Sequence, residues 1–116
     1  MSKFMSLKVW RRSKDLAVYI YGITGQGKFL KDFGLRDQIR RAAVSIPSNI
    51  AEGDELSSDK HSNKYFYIAK GSSAEVLTQA VIAMEIGYIK KEIYEHLENE
   101  CKAISGMLMK LIKARS

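Results

Sequence analysis

The chain has 116 residues, 46% of them apolar and 28% charged, with a net charge of +6. That fits one domain, 1–116, with one packed interior, and no stretch nears the roughly 20 consecutive apolar residues that a membrane span requires. The single cysteine, Cys101, excludes an internal disulfide, and MSKFMSLKVWRRSK at the N-terminus lacks the apolar run of a signal peptide, so a cytoplasmic setting is expected.

The charge is uneven. Residues 1–41 hold ten basic and three acidic side chains, a balance of +7, whereas residues 42–116 hold nine and ten, a balance of −1. A basic first third suits a polyanionic partner, although a solvated helix face has the same composition.

The first helix is predicted over Leu7 to Thr24. Val9, Leu16, Ile20 and Ile23 recur at helical spacing, with Trp10 and Ala17 widening the stripe. Gly25-Gln26-Gly27-Lys28 stops it. GQGK lacks the spacing of a phosphate-binding loop, and no strand precedes it. Phe29 to Phe33 reads as a connector. Gly34 is the expected cap of the second helix, which passes Pro47 and ends near Ala51; the lone proline should bend it. Ile39, Ala42, Ala43, Ile46 and Ile50 line one face of that helix. Asp37, Arg41, Ser45, Ser48 and Glu52 line another. Gly53, Asp54, Ser57 and Ser58 form the next turn.

The third helix is predicted from Ser58 or Asp59 as far as Tyr88. Tyr65, Ala69, Ser72, Val76, Ala80, Ala83 and Gly87 form a stripe of mostly small residues, and Phe66, Ser73, Leu77, Val81, Met84 and Tyr88 form a second. Ile68, Ile82, Ile86 and Ile89 form a third, interrupted by Glu75 and Gln79. A helix apolar nearly all round must be covered nearly all round. Three partner helices in so short a chain do not suffice, so a homo-oligomer is expected. The fourth helix, Lys91 to Ala114, is amphipathic, with Ile93, Leu97, Cys101, Ile104, Leu108, Leu111 and Ile112 repeating every three or four residues. Short connections make the whole an all-α, antiparallel up-and-down four-helix bundle.

Catalytic chemistry finds no foothold in this pattern. His61 and His96 are the only histidines, His96 and Cys101 do not share a helix face, and Cys101 lies on an apolar stripe where burial makes a thiol inert. No enzyme activity, metal or cofactor is expected. Two polar groups of interest remain. Arg11, Arg12, Lys14, Arg36 and Arg40 are candidates for gripping phosphate, in pairs that share helix faces. Glu75 interrupts an isoleucine stripe and should have a partner. Either Arg41 pairs with it, within a polar cluster that includes Asn49 and Glu52, or Arg41 pairs with Asp37 one turn back.

QIRRAAVSIPSNIAEG, Gln38 to Gly53, resembles the signature of the four-helix-bundle proteins called 23S rRNA intervening sequence proteins. That family also includes accessory proteins of diversity-generating retroelements. IAKGSSAEVLTQAVIAMEIGYI, Ile68 to Ile89, is similar to the family's third helix, and Val9-Trp10 and Met107 to Ile112 also fit. The resemblance implies an antiparallel bundle assembled as a homopentameric barrel, with RNA, DNA or a reverse transcriptase as partner. This chain departs from the pattern in three places. Gly27-Lys28 replaces Phe-Pro. Asp54 and Leu56 stand where an aromatic residue and an arginine are usual, which removes positive charge. His61-Ser62 replaces Glu-Phe and weakens a capping box at Ser58.

Two functions follow as expectations. One is a small homo-oligomeric accessory protein that binds nucleic acid through a merged basic patch. The other is a scaffold that docks an enzyme such as a reverse transcriptase, with scattered basic groups and an exposed apolar groove.

Overall fold

The computed structural model describes residues 3–56 and 59–116. Ser57 and Ser58, which carry the expected turn, the earlier predicted start of the third helix and the capping box, lie outside them. After a 3-10 turn at Lys3–Ser6 come α1 (Lys8–Thr24), α2 (Gly27–Lys31), α3 (Phe33–Glu55), α4 (Asp59–Glu85) and α5 (Lys91–Ala114). No strand is present among the described residues.

The four long helices form an antiparallel up-and-down bundle. Side-chain bonds report the direction of each pair. Thr24, at the end of α1, meets Arg40 early in α3. Ser62, early in α4, meets Gly53 near the end of α3. Asn63 of α4 reaches Ile112 near the end of α5, and Arg12 of α1 reaches Glu100 of α5. The molecule measures 44 × 23 × 20 Å, and the 27 residues of α4, at about 1.5 Å each, account for its long axis.

The core follows the helical spacing. Ile20, Ile39, Ile46, Ile50, Phe66, Val76, Leu97, Ile104 and Leu108 are fully buried. On α4 the small stripe faces inward: Ala69, Ser72, Val76, Ala80 and Ala83 are buried. Small side chains there let α3 come close. A Cβ added at Gly53 would lie 2.8 Å from the Phe66 ring and 3.0 Å from the Ser62 carbonyl. Pro47 is buried within α3, and the helix continues through it.

Several local expectations are corrected. The stretch after Gly27 is a short helix, and its Phe29 is buried against Tyr88, with ring centroids 5.5 Å apart, closing one end of the bundle. The cap of α3 is Asp32, which accepts a hydrogen bond from the Leu35 amide at 3.1 Å, so Gly34 already lies inside the helix. A side-chain acceptor two residues earlier satisfies an amide that a glycine cannot. α3 runs on past Ala51 to Glu55, and Asp54 is a buried helical residue.

α4 stops at Glu85, short of Tyr88. Gly87 takes a φ of 83°, the Tyr88 amide donates to the Ala83 carbonyl at 2.8 Å and the Gly87 amide to Met84 at 3.0 Å. This left-handed glycine cap ends a helix cleanly. Ile89 therefore leaves the isoleucine stripe and is buried beyond the helix end.

Candidate functional site

The five cations expected to grip phosphate do not form one free patch. Arg11 is exposed, and it takes part in none of the side-chain hydrogen bonds or ion pairs among the described residues. Arg12 is clamped: its Nε donates to Glu100 Oε1 at 3.0 Å and a terminal nitrogen donates to Oε2 at 2.9 Å. This two-point bond holds the Glu100 carboxyl below its usual range and raises Arg12. Lys14 meets its neighbour Asp15 at 2.7 Å, both exposed. Arg36 donates to Asp37 at 2.9 Å and to the Leu30 carbonyl at 3.1 Å, and lies 4.7 Å over the Phe33 ring. Arg40 donates to Thr24 Oγ1 at 2.8 Å and lies 4.5 Å over the Tyr21 ring. Arg40 therefore fastens α3 to the end of α1.

The polar side of α3 forms a second feature. Asn49 Nδ2 donates to the Ser45 carbonyl at 2.8 Å and to Ser45 Oγ at 2.9 Å, and Ser45 Oγ shares a hydrogen bond of 2.9 Å with Ser72 Oγ of α4. This run of hydrogen bonds joins the two helices. Beside it opens a cleft of about 360 Å³ lined by Gln38, Arg41, Ser45, Ser72, Glu75 and Gln79. Arg41 and Glu75 stand on opposite walls, on α3 and α4. The expected contact between them is not made: both are exposed, and neither belongs to any ion pair of 4.0 Å or less among the described residues. Glu75 faces solvent instead of finding an ion-pair partner among the described residues. Arg41 does not pair with Asp37 either, because Asp37 holds Arg36. Glu52 is exposed and outside the cluster. Gln79 Oε1 is buried and has no hydrogen-bond partner.

The third feature is apolar. Lys14, Ala17, Val18, Tyr21, Val44 and Pro47 line a groove of about 410 Å³ between α1 and α3. Val18 is 65% exposed there. The isoleucine stripe of α4 is uncovered as well: Ile68 is 42% exposed, Ile82 45% and Ile86 50%.

The sequence pattern gives Asp54 only as a lost positive charge in a turn. In the fold it is buried and held at 2.6 Å by Arg115, which also lies 5.2 Å over the Phe66 ring. Asp32 has a comparable structural role. Its second carboxylate oxygen accepts from the Tyr88 hydroxyl at 2.9 Å, and the bonds from Leu35 and Tyr88 hold its carboxyl below the usual range.

The family model of the 23S rRNA-intervening sequence protein matches residues 5–110. The chain belongs to this family. Among solved structures, this intervening sequence protein is similar to the 1.70 Å crystal structure of a protein of unknown function from the S23 ribosomal protein family of Bacteroides thetaiotaomicron. The two are 28% identical over 90% of this chain and 98% of that one, with a TM-score of 0.83. No curated protein matches the chain.

In the intervening sequence protein, then, the motif Gln38 to Gly53 has a physical content. Ala42, Ser45 and Gly53 of it lie against α4, and Gln38, Arg41 and Ser45 line the polar cleft. Sequence reasoning placed Arg41 and Glu75 there but left out Gln38, Ser45, Ser72 and Gln79. The signal was available, since Ser45 shares a face with Arg41 and Gln79 interrupts the same isoleucine stripe as Glu75. Cys101 is buried, and burial pushes its thiol up to about 11. No helix among the described residues is long and apolar enough to cross a membrane.

Proposed function

We propose that this intervening sequence protein is a homo-oligomeric scaffold that works by binding rather than catalysis, and that its α1–α3 groove docks a protein partner. The observation that carries this reading is the groove itself: Val18, Tyr21 and Val44 are exposed around an apolar lining on a chain of 116 residues. Exposed apolar surface that is contiguous, rather than scattered, marks an interaction site. The uncovered isoleucines of α4 supply a separate surface for self-association.

A second reading, direct contact with nucleic acid, rests on a different observation. The basic excess lies in the first third of the chain, and Arg11 there is exposed and unengaged among the described residues. It is the weaker reading, because Arg12 is committed to Glu100, Lys14 and Arg36 to neighbouring aspartates, and Arg40 to Thr24.

Affinity capture from the producing cells with the full chain and with Val18→Glu, with and without nuclease treatment, tests the proposal. A protein that is retained by the wild type after nuclease treatment and lost with Val18→Glu is the expected result. Capture that disappears with nuclease, or that Val18→Glu leaves unchanged, contradicts it. Salt-sensitive RNA or DNA binding that Arg11→Ala weakens would favour the second reading.

A further inference from the structure

The α3–α4 cleft brings one orphaned acceptor between two exposed charges. Arg41 and Glu75 belong to no ion pair among the described residues, and Gln79 Oε1 is a buried acceptor with no donor. A buried acceptor without a donor is rare in a finished structure and unfavourable. Exposed Ile82 lies seven residues beyond Glu75 on α4, and exposed Ile68 seven residues before it. Two helical turns bring a helix back to nearly the same face. The polar cleft therefore lies between two exposed isoleucines, where a partner covering both would also cover it.

We infer that the occupant of this cleft is a second copy of the chain, with Arg41 of one copy donating to Glu75 and Gln79 of another. This rests on the self-association proposed above and names its polar centre. The chemistry is complementary in a particular way. A guanidinium offers five donors in a planar fork, enough for a carboxylate and an amide oxygen together. Glu75 and Gln79 are one helical turn apart, so both acceptors face the same side. The cleft, at about 360 Å³, has room for such a side chain. The same chain supplies both cation and anion, so every contact in a closed symmetric assembly is satisfied by the same pair. Exposed isoleucines alone specify little, whereas a polar pair between them fixes register.

Sedimentation velocity on the full-length protein tests this, using wild type, Arg41→Glu, Glu75→Arg and an equimolar mixture of the two variants. Circular dichroism checks that each remains helical, and Arg41→Gln and Glu75→Gln serve if a reversal unfolds the bundle. The inference predicts that the wild type assembles and that each reversal weakens self-association by about a hundredfold, as like charges meet in the contact. It predicts that mixing the two variants restores assembly, because each altered residue then faces its opposite on the other chain. Reversals that assemble like wild type overturn the inference and leave self-association standing. So does weakening that mixing does not repair, the result of a pairing within one chain. A wild type that stays monomeric removes both.

Discussion

Asp54 near the end of α3 and Arg115 just beyond α5 are joined at 2.6 Å, and the carboxylate they share is 1% exposed on the aspartate side. Its second oxygen, Oδ2, has no hydrogen-bond partner. Among the described residues, Arg115 is therefore the one charged partner of this buried carboxylate. Arg115→Ala should cost about 3 kcal/mol of stability, the low end for breaking a buried pair because the arginine keeps some exposure. Urea unfolding measures it. A loss within experimental error would show that the aspartate is solvated instead.

Gly53 and Gly106 should respond to alanine with opposite signs. At Gly53 a Cβ would meet the Phe66 ring at 2.8 Å, whereas at Gly106 it would meet nothing within 4 Å. Gly53→Ala should destabilise by about 1–3 kcal/mol through overpacking. Gly106→Ala, on an exposed helix face, should stabilise by about 0.5–1 kcal/mol. Paired thermal melts decide the point, and equal effects would remove the close approach of α3 and α4 from the account.

Acid should weaken the tie between α1 and α5. Arg12 holds the Glu100 carboxyl below its ordinary value of 4.5, so the folded state releases this proton more readily than the unfolded one. The pairing then stabilises fully above that value and is lost as pH falls through the lowered one. Arg12 is substantially exposed, which limits the effect to under about 1 kcal/mol. Stability measured between pH 6 and about pH 3 should fall less steeply in Glu100→Gln than in the wild type. An unchanged slope would mean that the pair is not maintained in solution.

Cys101 should be silent in the native protein. It is 2% exposed, and burial raises its thiol to about 11. An aromatic disulfide reagent at pH 8 should label it only as fast as the bundle opens, and at once in denaturant. Labelling of the native protein within seconds would contradict its place in the core.

Much of the fold was legible because helical spacing is a repeated signal. Ile39, Ile46 and Ile50, or Leu97, Ile104 and Leu108, each report the same face several times over. Single-residue devices were harder to read. Asp32 and Gly34 are both plausible caps until the Leu35 amide is seen to point at one of them. Gly87 reads as one more small residue of a stripe until its φ of 83° ends the helix. Phe29 lies in a segment of five residues, too short to show a period.

The candidate site was legible as residue types but not as pairings. Five of the ten cations in the first 41 residues suggested a basic patch. Whether each is free depends on Glu100, Asp15, Asp37 and Thr24, and two of these lie on other helices. The isoleucine stripe of α4 was legible as a period, and the fold leaves Ile68, Ile82 and Ile86 of it exposed.

The central claim is self-association through that uncovered α4 surface, and the mass of the wild-type particle in solution tests it most directly. Light scattering across micromolar concentrations should return at least twice 13.1 kDa, and Ile82→Glu should lower it. A mass of 13.1 kDa at every concentration would contradict the account.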